Sequence, residues 1–284
     1  MLKGQQFNTT HSPTWCPGCG DFGIWTSLKN AIDELGLEYH NTVVVYGIGC
    51  SGNMANTVKT YAFHGLHGRP LPVAEAVKLA NHGLHVIIIA GDGDTYGEGM
   101  NHFLTSMRGN HDITLIVHDN QVYGLTTGQT APTSEKGYES KSTPQGVIEE
   151  PVNPVLLALS AGAGFISRGF SGNTVQLTEL IKKGIQHKGF SLVDVFQPCV
   201  TFNKHNTFQW FFRRVYDLDK EGYVPNSWEK AAEKARETER LATGIFYIHE
   251  RPTYHGSLPQ LAKGPLVVRP LAGIDVRKVF KDFI

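Results

Sequence analysis

The sequence predicts an α/β fold, a mostly parallel sheet flanked by helices, and three observations carry that expectation. Apolar runs such as Val86 to Ile89 and Ile113 to Val117 are unbroken by polar residues, the pattern of strands covered on both faces. Between these two runs lies a stretch of helical length, Tyr96 to Arg108. Glycine-containing turns follow both runs, GDGD at 91–94 and DNQVYG at 119–124, at the edge where open α/β sheets carry their ligand sites.

Taken in order, WCPGCGDFG at 15–23 opens the ordered chain, and Ile24 to Leu35 has helical periodicity that Gly36 stops. Thr42 to Gly47 is a buried-type strand, and the loop GIGCSGN at 47–53 sets Cys50 at the same edge as Asp92 and Asn120. His64, His67 and Arg69 follow in a glycine-rich loop, then a helix over Pro72 to Ala80. Beyond the polar loop TTGQTAPTSEKG, a helix is expected at Pro154 to Ala161 and a strand at Phe165 to Arg168. An amphipathic helix over Asn173 to His187 has Asn173 or Ser171 as its cap. A last strand, Phe190 to Phe196, delivers Pro198 and Cys199 at its end. Residues 203–284 differ in character: aromatic residues with arginines, then a charged helix with an alanine face. They are expected to form a C-terminal extension that serves as a subunit interface, appended to a domain over residues 1–202.

At 284 residues the chain can build one large core, and its 26 basic and 26 acidic residues give no reason to expect nucleic acid or an anionic membrane as partner. The N-terminus lacks an apolar signal region, and no apolar run approaches the ~20 residues of a membrane span, so a cytoplasmic location is expected. Four cysteines are too few for a disulfide scaffold of this length.

Asp92 and Asn120 form a hard oxygen pair of the kind that suits Mg²⁺ bound together with ligand phosphates, and the glycines beside them let backbone N–H groups approach such phosphates. The Cys16-Pro-Gly-Cys19 pair admits three readings: a thioredoxin-like redox pair, half of a zinc site, or part of an iron–sulfur site completed by distant cysteines. His64 and His67 are candidate anion or substrate contacts.

GDG at 91–93 with Asn120 downstream is similar to the diphosphate-binding motif of thiamine diphosphate enzymes. That resemblance implies Mg²⁺ ligation by Asp92, Asn120 and the carbonyl of Val122. WCPGCG, GIGCSG, HGR, GDGD, DNQVYGLTTGQ and the later PC together resemble the β subunit of 2-oxoacid:ferredoxin oxidoreductases, from about Trp15 to Phe202. The family's fold is the thiamine diphosphate-binding fold, and its four cysteines imply one [4Fe-4S] cluster on Cys16, Cys19, Cys50 and Cys199. Cofactor contacts are expected from Gly18, Cys19 and Gly20; from Ile48, Gly49, Cys50 and Ser51; and from His67, Gly91, Asp92, Gly93 and Asp94. Further contacts are expected from Asn120, Val122, Tyr123, Gly124, Leu125 and Thr126.

His64, His67 and Leu125 are the expected substrate-contacting, catalytic positions. Pyruvate-acting members resemble one another in having Asn where this chain has Leu125, which counts against strict pyruvate specificity. The wording of FHGLHGRPLPVA and YGLTTGQ looks most like 2-oxoglutarate enzymes, with Asn53, His64 and His67 as candidate donors to a second carboxylate. The family's TGGQ element has a counterpart in Thr126-Thr127-Gly128-Gln129, with Thr127 in place of the first glycine. The resemblance implies conversion of 2-oxoglutarate to succinyl-CoA and CO₂, or the reverse, with electrons passed to ferredoxin. It also implies a separate α subunit that carries the aminopyrimidine-binding domain, coenzyme A as co-substrate and an α2β2 assembly. Pyruvate or broad 2-oxoacid specificity, a non-redox thiamine diphosphate decarboxylase subunit and a zinc-binding interaction subunit stand as alternatives.

Overall fold

The computed structural model describes residues 3–270, 272–273, 275, 277–281 and 283, built on an eight-stranded sheet. α1 (Asp21–Glu34) leads into β1 (Thr42–Tyr46), β2 (Tyr61–His64), α2 (Pro70–Ala80), β3 (His85–Gly91), α3 (Met100–Gly109) and β4 (Thr114–Asp119). A small hairpin of β5 (Val122–Tyr123) and β6 (Gln129–Thr130) follows, then α4 (Pro154–Ala161), β7 (Phe165–Phe170), α5 (Thr174–Gln186) and β8 (Ser191–Phe196). The chain continues through α6 (Phe208–Phe212), β9 (Val215–Asp217), α7 (Trp228–Ala235), β10 (Leu241–Ile248) and α8 (Arg277–Phe280). The strand order is β2-β1-β3-β4-β8-β7-β10-β9, and every neighbouring pair is parallel except β10 on β7.

Alternation along the central strands divides the core into two layers. Val43, Val45, Ile88, Ala90, Leu115, Val117 and Leu192 face α2, α3, α4 and α7, whereas Val44, Ile87, Ile89, Ile116, Val193 and Val195 face α1 and α5. Both faces being covered is why these strands read as continuous apolar runs. Full burial of each such side chain stabilises the fold by about 1.5–3 kcal/mol, so the site at the strand ends rests on a rigid base.

Register fixes where the strands end. Tyr46 lies beside Ile89, Gly91 beside His118 and Asp119 beside Phe196, so the residues after β1, β3, β4 and β8 emerge along one edge. α4 occupies the expected span, and the Asn173 side chain caps α5 by accepting from the Gln176 N–H.

Three segments depart from expectation. The helix expected over Tyr96 to Arg108 is divided: Gly93–Glu98 forms a wide π-type turn, and α3 starts at Met100. The Asp94 side chain is turned inward to accept from the Gly68 N–H, and its carbonyl accepts from the Gly99 N–H, which prevents one continuous helix. Tyr61–His64, expected as loop, is the exposed edge strand β2 paired with β1. The segment after residue 202 adds β9 and β10 to the central sheet, and Phe211 packs on Phe170 and Phe196, while Phe212 stays exposed. No helix among the described residues is long and apolar enough to cross a membrane.

Candidate functional site

The edge formed by β1, β3 and β4 opens into a groove lined by Ile48 to Ser51, His67, Gly91 to Asp94, Asn120 and Val122 to Thr126. Four separate turns thus converge on one space. His64 is not among the lining residues; its Nε2 bonds to the Gly47 carbonyl at 2.8 Å and so braces the Gly47–Cys50 turn from outside. Gly18, Cys19 and Gly20 also lie off the groove, in the loop that precedes α1.

Asp92 is buried, and its Oδ2 accepts from the Gln121 N–H at 2.8 Å and from the Thr133 hydroxyl. Burial raises its pKa to about 6, against the lowering effect of those hydrogen bonds. Asn120 Oδ1 accepts from the Val122 N–H at 3.1 Å, and Gln121 between them takes a left-handed φ of 62°. That turn carries Val122 back into the groove beside Asn120. Ser51 Oγ, on the groove wall, is buried without a hydrogen-bond partner, a vacancy in bonding that suits a polar ligand. Oxygen donors from Asp92 and Asn120, in a groove with an unpaired hydroxyl, fit a magnesium-bound diphosphate.

His67 is about one-third exposed, with Nδ1 2.9 Å from Asp94 Oδ1 and 3.4 Å from Glu98 Oε2. The Tyr123 hydroxyl donates to Glu98 Oε2 at 3.1 Å, so two carboxylates and a tyrosine fix one side of the groove. Neither contact has hydrogen-bond geometry, and His67 Nδ1 is buried without a hydrogen-bond partner in a groove position.

None of the four cysteines forms a disulfide. Cys50 Sγ and Cys199 Sγ each lie 3.6 Å from the position a Cβ on Gly124 would occupy, which places both sulfurs against the floor of the groove. Cys16 and Cys19 are joined by a turn in which the Cys16 carbonyl accepts from the Cys19 N–H at 3.0 Å. The Gly20 N–H donates to the Pro198 carbonyl at 3.1 Å and Trp15 Nε1 donates to the Cys50 carbonyl at 2.7 Å, so the N-terminal loop is tied to both other cysteine segments. Burial pushes the Cys50 thiol up to about 12, with the nearby Asp21, Cys199 and Cys16 adding to it. The Cys19 thiol is raised further, by burial first and then by Asp21, to whose Oδ2 it donates at 3.2 Å. A bound metal would favour the thiolate forms of buried Cys19 and Cys50 that burial alone disfavours, and four cysteine sulfurs are the donor set of an iron–sulfur cluster.

Sequence reasoning missed several residues that shape the site. Thr133 supports Asp92. A buried hydrogen bond joins His118 Nδ1 and Asp21 Oδ1 at 2.6 Å, next to Cys19. Gln197 lies between Asn120 and Cys19. None belongs to a spacing motif; the pairing of β4 with β8 and the docking of α1 bring Asp21, His118 and Gln197 there, and the loop after β6 brings Thr133.

Residues 47–195 match the family model described as the C-terminal TPP binding domain of thiamine pyrophosphate enzymes, and residues 199–263 match the C-terminal segment of the pyruvate ferredoxin oxidoreductase beta subunit. Over 268 residues the chain is 44% identical to 2-oxoacid:ferredoxin oxidoreductase 2, subunit beta, of Aeropyrum pernix, covering 90% of this chain and 87% of that protein. It is 42% identical over 201 residues to the 2-oxoglutarate oxidoreductase subunit KorB of Mycobacterium tuberculosis, covering 71% and 54% respectively. A solved 2-oxoglutarate:ferredoxin oxidoreductase from Magnetococcus marinus, with 2-oxoglutarate, coenzyme A and succinyl-CoA bound, superposes with a TM-score of 0.91 at 34% identity, over 99% of this chain and 95% of that one. With its thiamine pyrophosphate-binding domain, its parallel sheet and this groove, the chain belongs to the 2-oxoacid:ferredoxin oxidoreductase family as a beta subunit, part of an oxidoreductase.

Proposed function

We propose that the chain carries the thiamine diphosphate, Mg²⁺ and a [4Fe-4S] cluster of an enzyme that oxidatively decarboxylates 2-oxoglutarate to succinyl-CoA and CO₂, or runs the reverse, with ferredoxin as electron partner. The observation that carries this reading is that Cys50 and Cys199 both lie against Gly124 in the groove that also bears Asp92 and Asn120, while hydrogen bonds tie the Cys16–Cys19 segment to the segments of Cys50 and Cys199. Thiamine diphosphate, when bound, supplies a carbanion that attacks a 2-oxoacid and holds the electron pair left after decarboxylation; a cluster beside it gives those electrons an exit.

The chain's own residues have separable tasks. Asp92, Asn120 and the Val122 carbonyl would hold Mg²⁺, and the glycine turn at 91–93 admits the diphosphate. His67, lying close to Asp94 and Glu98 on the groove wall, is placed to hydrogen-bond a substrate. The half-exposed Leu125 forms an apolar rim in the position where pyruvate-acting members resemble one another in having Asn.

Among the groove-lining residues there is no Lys or Arg, so the distal carboxylate of 2-oxoglutarate must find its cation on a separate α subunit. That subunit would also supply the aminopyrimidine-binding domain and coenzyme A contacts, in an α2β2 complex in the cytoplasm. The same absence favours a second reading, broad 2-oxoacid specificity with the choice of substrate made by the partner.

The test is anaerobic co-expression with the candidate partner, followed by coenzyme A-dependent viologen reduction with 2-oxoglutarate, pyruvate and a branched 2-oxoacid. Activity with 2-oxoglutarate alone supports the first substrate assignment, and comparable rates with all three support the second. No reduction from a complex loaded with cluster and thiamine diphosphate would overturn both. Cys50→Ala is expected to lose the brown four-iron chromophore while still binding Mg²⁺ and thiamine diphosphate, read by iron analysis and calorimetry.

A further inference from the structure

Gln197 is 1% exposed and lies between the two groups of ligands just described. Its Nε2 is 3.3 Å from Cys19 Sγ and donates to the Pro198 carbonyl at 3.0 Å, while its Oε1 accepts from Asn120 Nδ2 at 2.9 Å. Backbone groups fix the direction of both amides. The Pro198 carbonyl only accepts, so it selects Nε2 of Gln197; the Val122 N–H only donates, so it selects Oδ1 of Asn120. The Gln197 side chain is also held in place sterically, because a Cβ on Gly20 would lie 2.9 Å from Gln197 Cγ and 3.0 Å from Pro198 Cδ. Its backbone N–H donates to the Asp119 carbonyl at 2.9 Å, anchoring it to the end of β4.

We propose that Gln197 is a positioning residue shared by both cofactors: its Oε1 holds Asn120 with Oδ1 as the metal donor, and its N–H group donates to the Cys19 sulfur of the cluster. The proposal rests on the cofactor assignment above and adds a residue to it. A hydrogen-bond donor on a ligating sulfur stabilises the added negative charge of the reduced cluster and so raises its potential. An acceptor that fixes a metal ligand's amide acts on affinity, and loss of such outer partners typically costs about 10–100-fold.

The experiment compares Gln197→Met, of similar volume with neither donor nor acceptor, with Gln197→Glu, which keeps an oxygen for Asn120. Both are made in the anaerobically purified complex with its partner. The readouts are the cluster's midpoint potential, from an EPR-monitored titration, and Mg²⁺-dependent thiamine diphosphate affinity, by calorimetry. Gln197→Met is expected to shift the potential negative and weaken affinity by about 10–100-fold. Gln197→Glu is expected to shift the potential negative and keep the parent affinity. Parent values for both quantities in a four-iron Gln197→Met complex would overturn the proposal. Should Gln197→Met not assemble, Gln197→Glu decides: an unchanged potential removes the role toward Cys19, and a weakened affinity removes the role toward Asn120. A parent complex that binds no cluster or no thiamine diphosphate would overturn the cofactor assignment instead, which keeps the two failures distinct.

Discussion

Thr127 holds a φ of 79°, and Gly128 beside it 103°. A β-branched residue in this region is strained by its Cβ, at roughly 1–2 kcal/mol, and the turn joining β5 to β6 keeps it there. Thr127→Gly is therefore expected to raise stability by about 1 kcal/mol, partly offset by the added freedom of glycine in the unfolded chain, as a higher urea midpoint with an unchanged slope. Asp92 makes the opposite compromise. Its raised pKa means that the unliganded folded chain holds more protons than the unfolded one between the ordinary carboxylate value and about 6. Stability without ligand thus falls as pH rises through that window and stays low above it. Asp92→Asn should be more stable than the parent at pH 7.5 in the absence of Mg²⁺, on the order of 1–3 kcal/mol, and should lose Mg²⁺-dependent thiamine diphosphate binding. Denaturation with and without both ligands checks this. Asp92, Asn120 and the four cysteines were legible because their chemistry is tied to turns and spacing. Thr133, Asp21, His118 and Gln197 were not, since each acts only through a neighbour supplied by another element.

At the scale of elements, β7 and β8 meet through a buried ion pair. Arg168 Nε donates to Asp194 Oδ2 at 2.8 Å, the Tyr96 hydroxyl donates to Asp194 Oδ1 at 2.8 Å, and the guanidinium lies 4.8 Å from the centre of the Phe196 ring. Asp119, whose carboxyl is pushed well above the usual range by burial and then by Asp194 and Asp92, has Arg168 acting in the lowering direction. Arg168→Met leaves these carboxylates without that cation, and a loss of about 3–5 kcal/mol in unfolding free energy is expected from chemical denaturation. Buried strands declared themselves by uninterrupted aliphatics. β2 did not, because all four of its residues are exposed and its sequence lacks the apolar run of a covered strand. β10 was missed for a different reason: Gly244 takes a φ of 117°, and the register with β7 shifts between Ile245 and Tyr247, breaking the simple alternation of a strand.

Across the whole molecule, the end of the sheet opposite the groove is rich in histidine. His85 begins β3, His111 stacks on Tyr254 at 4.3 Å, His82 stacks on His255 at 5.4 Å, and His187 ends α5. The segment carrying Tyr254 and His255 is held there by Asn110, which donates from Nδ2 to the Arg251 and Pro252 carbonyls. Burial is the first cause lowering the pKa of His85, His111, His187 and His255. The unfolded chain then binds more protons than the folded one below the ordinary histidine value, so these groups withdraw stability as pH falls through about 6.5. The buried carboxylates near the groove act with the opposite sign, so a difference measurement is needed. His187→Gln should reduce the loss of stability between pH 7 and 5.5 relative to the parent; an identical loss in both proteins would exclude His187 as a contributor.

Cys16 and Cys199 lie far apart in sequence, yet their segments are joined by the Gly20 N–H to Pro198 carbonyl hydrogen bond because β8 pairs with β4 and α1 docks on α5. The four cysteine segments therefore come together only after β8 has been laid down. If the four cysteines hold the proposed cluster, an iron donor that requires all four will find them only on a chain folded through β8, and loading would then report that this part of the sheet is correctly assembled.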